Sequence, residues 1–283
     1  MICTSIGRCI LLMIVAATSG TLPAHAVEDS PADFPGDVSE WNGFVQFDFR
    51  LDNLACRVVR PEQAARGNPW IWRARFWGHE PQTEIALLRK GFHVAYCDVT
   101  SLWGNAEAIE RWDRLYKYLT SQHGLSPRPA LLGMSRGGLI IYHWAILHPT
   151  QVSCIYADAP ALGLRPYVRD LEAGDADLDR LTGWMNAHGL TLQAAKQYTQ
   201  DTLDRLGPLA AEGVPVIHVC GDADESVPFE AHTGEFARRY RQLGGSVRVI
   251  VKKGGAHHPH SLKDPTAIVD FIVTHQNRNN VSE

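Results

Sequence analysis

The sequence predicts an α/β domain with a mostly parallel, doubly wound sheet, helices on both faces and a helical cap insertion. Three observations predict it. From residue 70 onward, strand-like and helix-like segments alternate, as repeated strand–helix–strand units do. Residues 92–97 read as a continuous apolar run, the mark of a strand covered on both faces. Residues 160–210 carry helical patterns but no buried strand. They are too long for a structureless loop in a compact domain, so they read as an insertion over one edge of the sheet.

The elements follow in order. Residues 1–26 hold one basic residue, Arg8, an apolar stretch at 9–17 and a small, polar end at Ala24-His25-Ala26. This is the layout of a secretory leader cleaved after Ala26, which predicts a secreted or periplasmic protein. The apolar stretch is well short of the roughly 20 residues that span a bilayer, and no later stretch reaches that length either. Residues 27–40, rich in Pro, Asp and Ser, read as a linker. Residues 44–51 alternate apolar and polar as a half-buried strand does, and Asp52-Asn53 suits a tight hairpin to a second strand at 54–59. A third strand is predicted at 70–76, a helix at 80–89 closed by Gly91, and a strand at 92–97. The segment 106–119 places Ile109, Trp112, Leu115, Tyr116 and Leu119 at helical spacing. Strands are predicted at 129–132, 152–156, 216–220 and 247–251, and helices at 139–147, 229–243 and 265–275. The domain spans 41–277, and 278–283 form a tail.

Composition narrows the function. A chain of 283 residues, 45% hydrophobic and 20% charged, suits one large domain and excludes disorder, collagen-like repeats and coiled coils. Its 27 Lys and Arg against 31 Asp and Glu, with no basic run, argue against a nucleic-acid partner. Cys3 and Cys9 fall in the leader. Cys56, Cys97, Cys154 and Cys220 each sit in an apolar run and read as buried small hydrophobes, although Cys56–Cys97 or Cys154–Cys220 bridges stay open. No C-x-x-C occurs, which argues against a zinc ribbon or redox site.

Three stretches carry chemistry. Gly133-Met134-Ser135-Arg136-Gly137 is G-x-S-x-G set between a short strand and a helix. A serine on such a sharp turn is lifted clear of the sheet, and the Arg136 N–H is aimed at the reacting oxygen. The second stretch, 220–228, holds Asp222, Asp224 and Glu225 at the C-terminal end of a strand, the edge where open α/β sheets bind ligands. The third, 254–260, places His257, His258 and His260 behind two glycines on the same edge. This H-H-x-H lacks the carboxylate and the i, i+4 spacing of catalytic zinc sites, so no metal is predicted. Asp175, Asp177 and Asp179 form D-x-D-x-D without the Gly and Glu of a calcium loop and read as solvated. Asn280-Val281-Ser282 fits a glycosylation acceptor. No nucleotide-binding glycine pattern occurs, so no cofactor is implied.

In the order Ser135, Asp224, His257, the chain resembles the α/β-hydrolase superfamily across 44–275, and most closely its exported bacterial esterase and prolyl-oligopeptidase-like branch. The resemblance implies the α/β-hydrolase fold and a Ser–His–Asp triad. The family's G-x-x-D-x-x-V-P pattern corresponds to Gly221, Asp224, Val227 and Pro228, which selects Asp224 over Asp222. A histidine after a small-residue loop selects His257 over His258 and His260. Asp158, at the end of the strand after the nucleophile helix, is the reserve acid. The implied oxyanion donors are the Arg136 N–H and one from the loop after the third strand. That loop lacks a His-Gly-Gly run; Trp72-Arg73-Ala74 stands there, which points to the Arg73 N–H.

Arg73, Arg75 and Arg136 on one edge suit a substrate carboxylate, or else pair with acids around the site. Trp70 and Trp72, two apart in a strand, read as core, whereas Trp77, Trp103 and, from the insertion, Trp184 are expected to line the substrate pocket. The expected activity is a serine hydrolase cleaving a carboxylic ester, with acylated carbohydrate as substrate class. A serine peptidase and a non-catalytic binding protein are the alternatives. Oligomeric state is left open by the sequence.

Overall fold

A computed structural model describes residues 1–2, 33–164, 168 and 178–279. The predicted leader beyond residue 2, Asp175 and Asp177 of the acidic stretch, and the Asn280 acceptor lie outside the described residues. Asp179 is exposed.

The chain enters the sheet earlier than its composition suggests. Strand β1 (Asp37–Trp41) pairs antiparallel with β2 (Phe44–Leu51), and Trp41 lies opposite Phe44. Asn42-Gly43 joins them at φ 53° and 85°, the left-handed pair that a two-residue hairpin demands. The 27–40 linker expectation is therefore corrected at its C-terminal end. An edge strand exposed along most of its length carries polar residues, so it shows no alternation; Asn-Gly was the signal. β2 turns through Asp52-Asn53 into β3 (Leu54–Arg60), as predicted.

The remaining strands are β4 (Trp70–Arg73), β5 (His93–Cys97), β6 (Ala130–Met134), β7 (Cys154–Asp158), β8 (Val216–Gly221) and β9 (Val247–Lys252). The sheet runs β1-β2-β3-β5-β4-β6-β7-β8-β9, antiparallel through the β3–β5 pair and parallel from β5 to β9. β4 is shorter than the predicted 70–76, because the chain turns at Phe76 with φ 55°. That early exit frees the segment 74–79 to form a loop at the sheet's C-terminal edge.

Helices cover both faces. α1 (Gln82–Leu88) packs with Ile71, Val94 and Leu132 on one face, which a later C-terminal helix also covers. On the other, α2 (Ala106–Gln122) and α3 (Gly137–Leu147) pack on Trp70, Trp72 and Ile155. Asn105 starts α2 by accepting the Ala108 N–H at 3.0 Å, which satisfies one of the orphan donors of the first turn. Trp72 stacks on Trp112 at 3.9 Å and meets Trp144 edge-on, so Trp70 and Trp72 are core, as predicted. Truncating Trp72 there would cost about 3–5 kcal/mol. All four cysteines of the described chain are buried free thiols, and Cys56 lies directly opposite Cys97 in the β3–β5 ladder.

Between β7 and β8 the described chain is helical: α4 (Leu178–His188), α5 (Leu192–Lys196) and α6 (Gly207–Ala211). Leu181, Trp184 and Ala195 form a satellite core with Trp103, Leu139, Ala161 and Val227. The Asn105 side chain also donates to Ala187 O at 2.7 Å. The insertion is thus fastened to the loops around β5 and β7. The sheet is completed by α7 (Glu235–Gln242), behind a π-helical turn, and α8 (Thr266–Asn279), whose Ile268 and Ile272 join α1 on their shared face. Among the described residues no helix is long and apolar enough to cross a membrane.

Candidate active site

The Ser135 turn is set by what surrounds it. Ser135 itself holds φ 48°, a left-handed conformation rare for a residue with a side chain. A Cβ on Gly133 would lie 2.7 Å from Gly137 O, and one on Gly138 would lie 2.7 Å from Ala161 O and from the Pro160 ring. Only glycine lets β6 pass so closely into α3 and lets α3 start against 160–161. The Ser135 N–H donates to Asp158 O at 2.9 Å, and Ser135 O accepts from Gly138 and Ala161, each at 2.9 Å. The strained residue is held from both sides.

The acid and the base arrive on two loops that touch. A Cβ on Gly221, at the end of β8, would lie 1.9 Å from Gly255 O. The bare backbone lets the loop after β8 lie directly on the loop after β9, where Ala223 N–H donates to Gly255 O at 2.9 Å. Asp222 accepts the Gly254 N–H at 2.5 Å. It ties the loops together, and Asp224 is left to face the imidazole.

His257 Nδ1 donates to Asp224 Oδ2 at 2.7 Å, and Ser135 Oγ lies 2.9 Å from His257 Nε2. The other oxygen, Asp224 Oδ1, accepts the N–H groups of Ser226 and Val227 at 2.9 and 2.8 Å. Burial pushes the Asp224 carboxyl up. The hydrogen bonds from His257 and Val227, the nearby imidazole and the Ser226 N–H together outweigh it and hold the group below the ordinary carboxylate range. An ionised carboxylate fixes the His257 tautomer with Nε2 as the acceptor for the serine proton. This arrangement activates a hydroxyl as a nucleophile.

The structure brings Ser135, His257 and Asp224 together and separates other predicted residues. Asp158, the reserve acid, is fully buried and committed elsewhere. It accepts from His260 Nδ1, Tyr156 Oη and the Ser261 N–H, each at 2.8 Å. Trp77 lines a cavity of about 410 Å³ with Phe76, His79, Ser135, His257, His258 and His260. Trp103 and Trp184 do not line it; both are buried in the satellite core that fastens the insertion, with the Arg136 guanidinium 4.5 Å from the Trp103 ring. An aromatic residue in a loop beside an insertion had two possible partners, and packing won.

Arg73 is corrected as an oxyanion donor. The Ala74 N–H donates to Leu132 O on β6 at 2.9 Å. N–H groups alternate sides along a strand between two parallel neighbours, so the Arg73 N–H is aimed at β5, away from the strand that leads to Ser135. Its side chain does something else. It is buried, forms an ion pair with Glu84, and donates to Arg75 O at 2.8 Å and His79 O at 2.6 Å. A guanidinium fork thereby staples the 75–79 loop to α1. Arg75 is not paired in this way; its guanidinium lies 4.4 Å from the Phe76 ring, and burial, then Arg136, pulls its pKa down to about 10. Of the three arginines, Arg73 pairs with Glu84, and Arg75 and Arg136 lie close enough to each other for their charges to interact.

Sequence reasoning missed Phe76 and His79. Both follow β4 at the C-terminal end of the sheet, in Phe76-Trp77-Gly78-His79, and that position was the signal available.

Neither a family model nor a curated protein matches the sequence. Solved structures do. Est1E from Butyrivibrio proteoclasticus superposes with a TM-score of 0.57 at 17% identity, covering 85% of this chain and 98% of that one. Porphyromonas gingivalis dipeptidyl peptidase 4 matches with a TM-score of 0.57 at 15% identity, covering 78% of this chain and 33% of that one. Pyrococcus horikoshii acylaminoacyl peptidase matches at 0.54 and 14% identity, covering 76% and 37%. The chain spans about a third of the length of these two peptidases and nearly all of Est1E. The fold is the α/β-hydrolase fold.

Proposed function

We propose that the protein is a serine hydrolase that cleaves a carboxylic ester through an acyl-enzyme. The observation that carries this is the unbroken chain Ser135 Oγ–His257–Asp224 at 2.9 and 2.7 Å. In this mechanism His257 Nε2 takes the Ser135 proton as Oγ attacks the carbonyl carbon. It then gives the proton to the leaving oxygen. A water, deprotonated by His257, releases the acid and restores the serine. Asp224 stabilises the imidazolium in both steps.

The tetrahedral oxyanion needs two donors. One is the Arg136 N–H at the start of α3. The other we assign to the N–H of Phe76, which turns at φ 55° in the same cavity wall. Each donor is worth about 3 kcal/mol of transition-state stabilisation.

An ester, rather than a peptide, suits the cavity wall, which is built of two aromatic rings and imidazoles around Ser135. Trp77 is held by Trp41 at 5.2 Å and Tyr96 at 5.4 Å, a braced flat surface suited to a sugar ring. The test is turnover of a short acyl ester and its matched anilide, then of acetylated and uronate sugar esters. Faster ester cleavage that vanishes in Ser135→Ala supports the reading. Faster anilide cleavage would make the protein a peptidase, and no turnover of either by folded protein would make it a binding protein.

A further inference from the structure

We propose that His79, His258 and His260 form a three-histidine site for a divalent transition-metal ion such as Zn²⁺, in the cavity that Ser135 lines. The donor nitrogens of these three rings lie within 4.8 Å of one another. The sequence shows only H-H-x-H, of which His257 is spent on Asp224. The third ligand comes from the loop after β4, nearly two hundred residues away.

The site is built from below. His260 is buried, and its Nδ1 donates to the fully buried Asp158 at 2.8 Å. A carboxylate can only accept, so a proton sits on Nδ1, and Nε2 is the nitrogen of this ring that can face a metal. A carboxylate behind a histidine is the arrangement that orients metal-ligating imidazoles and raises their basicity. Tyr156 Oη and the Ser261 N–H fix Asp158 in turn.

His79 and His258 stand above it, exposed, with ring centroids 5.7 and 4.7 Å from that of His260. The His79 backbone is pinned by Arg73. In a tetrahedral Zn–N site the donors stand about 3.3 Å apart. The rings need to close by no more than about 1.5 Å, with a fourth position left for water or substrate.

An ion there stands next to the triad: the His257 ring lies 5.0 Å from His258 and 4.9 Å from His260. A dication at that range opposes the imidazolium that forms when Ser135 gives up its proton. Metal loading therefore slows acyl transfer, a consequence that rests on the hydrolase reading above, whereas the site itself does not.

The probe is Co²⁺, titrated into the whole protein and followed by visible absorption, then displaced by Zn²⁺. The expected result is one ion per chain with tetrahedral bands, in wild type and in Ser135→Ala alike. Bands should be absent in the double variant His79→Ala/His258→Ala, whose changes are on exposed side chains and whose fold is checked by circular dichroism. Asp158→Asn should weaken binding by about 10–100-fold. Zn²⁺ should slow fluorophosphonate labelling at least tenfold in wild type and leave the double variant's rate unchanged. No bands on wild type, or bands of undiminished affinity in the double variant, would overturn the site. Labelling equally fast on metal-loaded wild type would overturn the control of Ser135. Absence of labelling in metal-free protein, with the Co²⁺ bands intact, would overturn the hydrolase reading and leave the site standing.

Discussion

Two histidine–aspartate pairs stand side by side in this protein, only three residues apart on one loop. His257 donates to Asp224 at 2.7 Å and His260 donates to Asp158 at 2.8 Å. The chemical pair is the same; what differs is the partner of the second ring nitrogen. His257 Nε2 meets a serine hydroxyl. His260 sits deeper and shares a cluster with two more imidazoles. Asp224 is held by two N–H groups of its own loop, whereas Asp158 is built into the end of β7 beneath the nucleophile turn. A carboxylate behind an imidazole fixes a tautomer. The group in front decides whether that tautomer moves a proton or holds an ion.

The largest expected effect separates the two acids. Asp224→Asn should lower kcat/KM on an ester by about 10⁴-fold, because the amide favours the wrong His257 tautomer. Asp158→Asn should lower it by far less and instead destabilise the fold by about 1–3 kcal/mol, as three donors lose a charged acceptor. Steady-state kinetics and urea unfolding of both variants make the contrast; equal kinetic losses would erase it.

Next in size is Arg73→Met. It leaves Glu84 buried and unpaired and releases the loop that carries Phe76 and His79, so unfolding free energy should fall by about 3–5 kcal/mol. If urea unfolding shows no loss, the stapling role given to Arg73 is wrong.

Three other buried histidines, His93, His143 and His218, set the acid limit of the fold. Burial holds His93 and His143 down to about 4 and His218 to about 3, from an ordinary 6.5. The unfolded chain takes these protons near pH 6.5 while the folded one refuses them. Stability is therefore intact above that pH and falls as pH drops toward 4, by about 1.4 kcal/mol per pH unit for each histidine. Thermal melts between pH 7 and 4 read this directly, and a flat Tm over that range would contradict it. The smallest effect is Gly43→Ala at φ 85° in the first hairpin, about 1 kcal/mol with ester turnover unchanged.

The triad was legible in the sequence because each member sits in a local pattern with a mechanical cause. Gly133 and Gly138 flank a turn with no room for a Cβ at either position, and Gly221 precedes Asp224 where two loops touch. The strand at 37–41 was hidden because an exposed edge has no apolar face to show. Arg73 was misread because its position promised a backbone role, and burial beside Glu84 gave it a side-chain one. Trp103 and Trp184 were assigned to substrate because composition does not say which surface a tryptophan faces. The three-histidine cluster was invisible for the plainest reason: His79 meets His258 and His260 only after the sheet has folded.

The central claim is that Ser135, and no other side chain, is the activated nucleophile. Intact mass after treatment with a fluorophosphonate tests it most directly, on wild type beside Ser135→Ala. One adduct on wild type and none on the variant is the predicted result. No adduct on folded, metal-free wild type, or the same adduct on the variant, would contradict it.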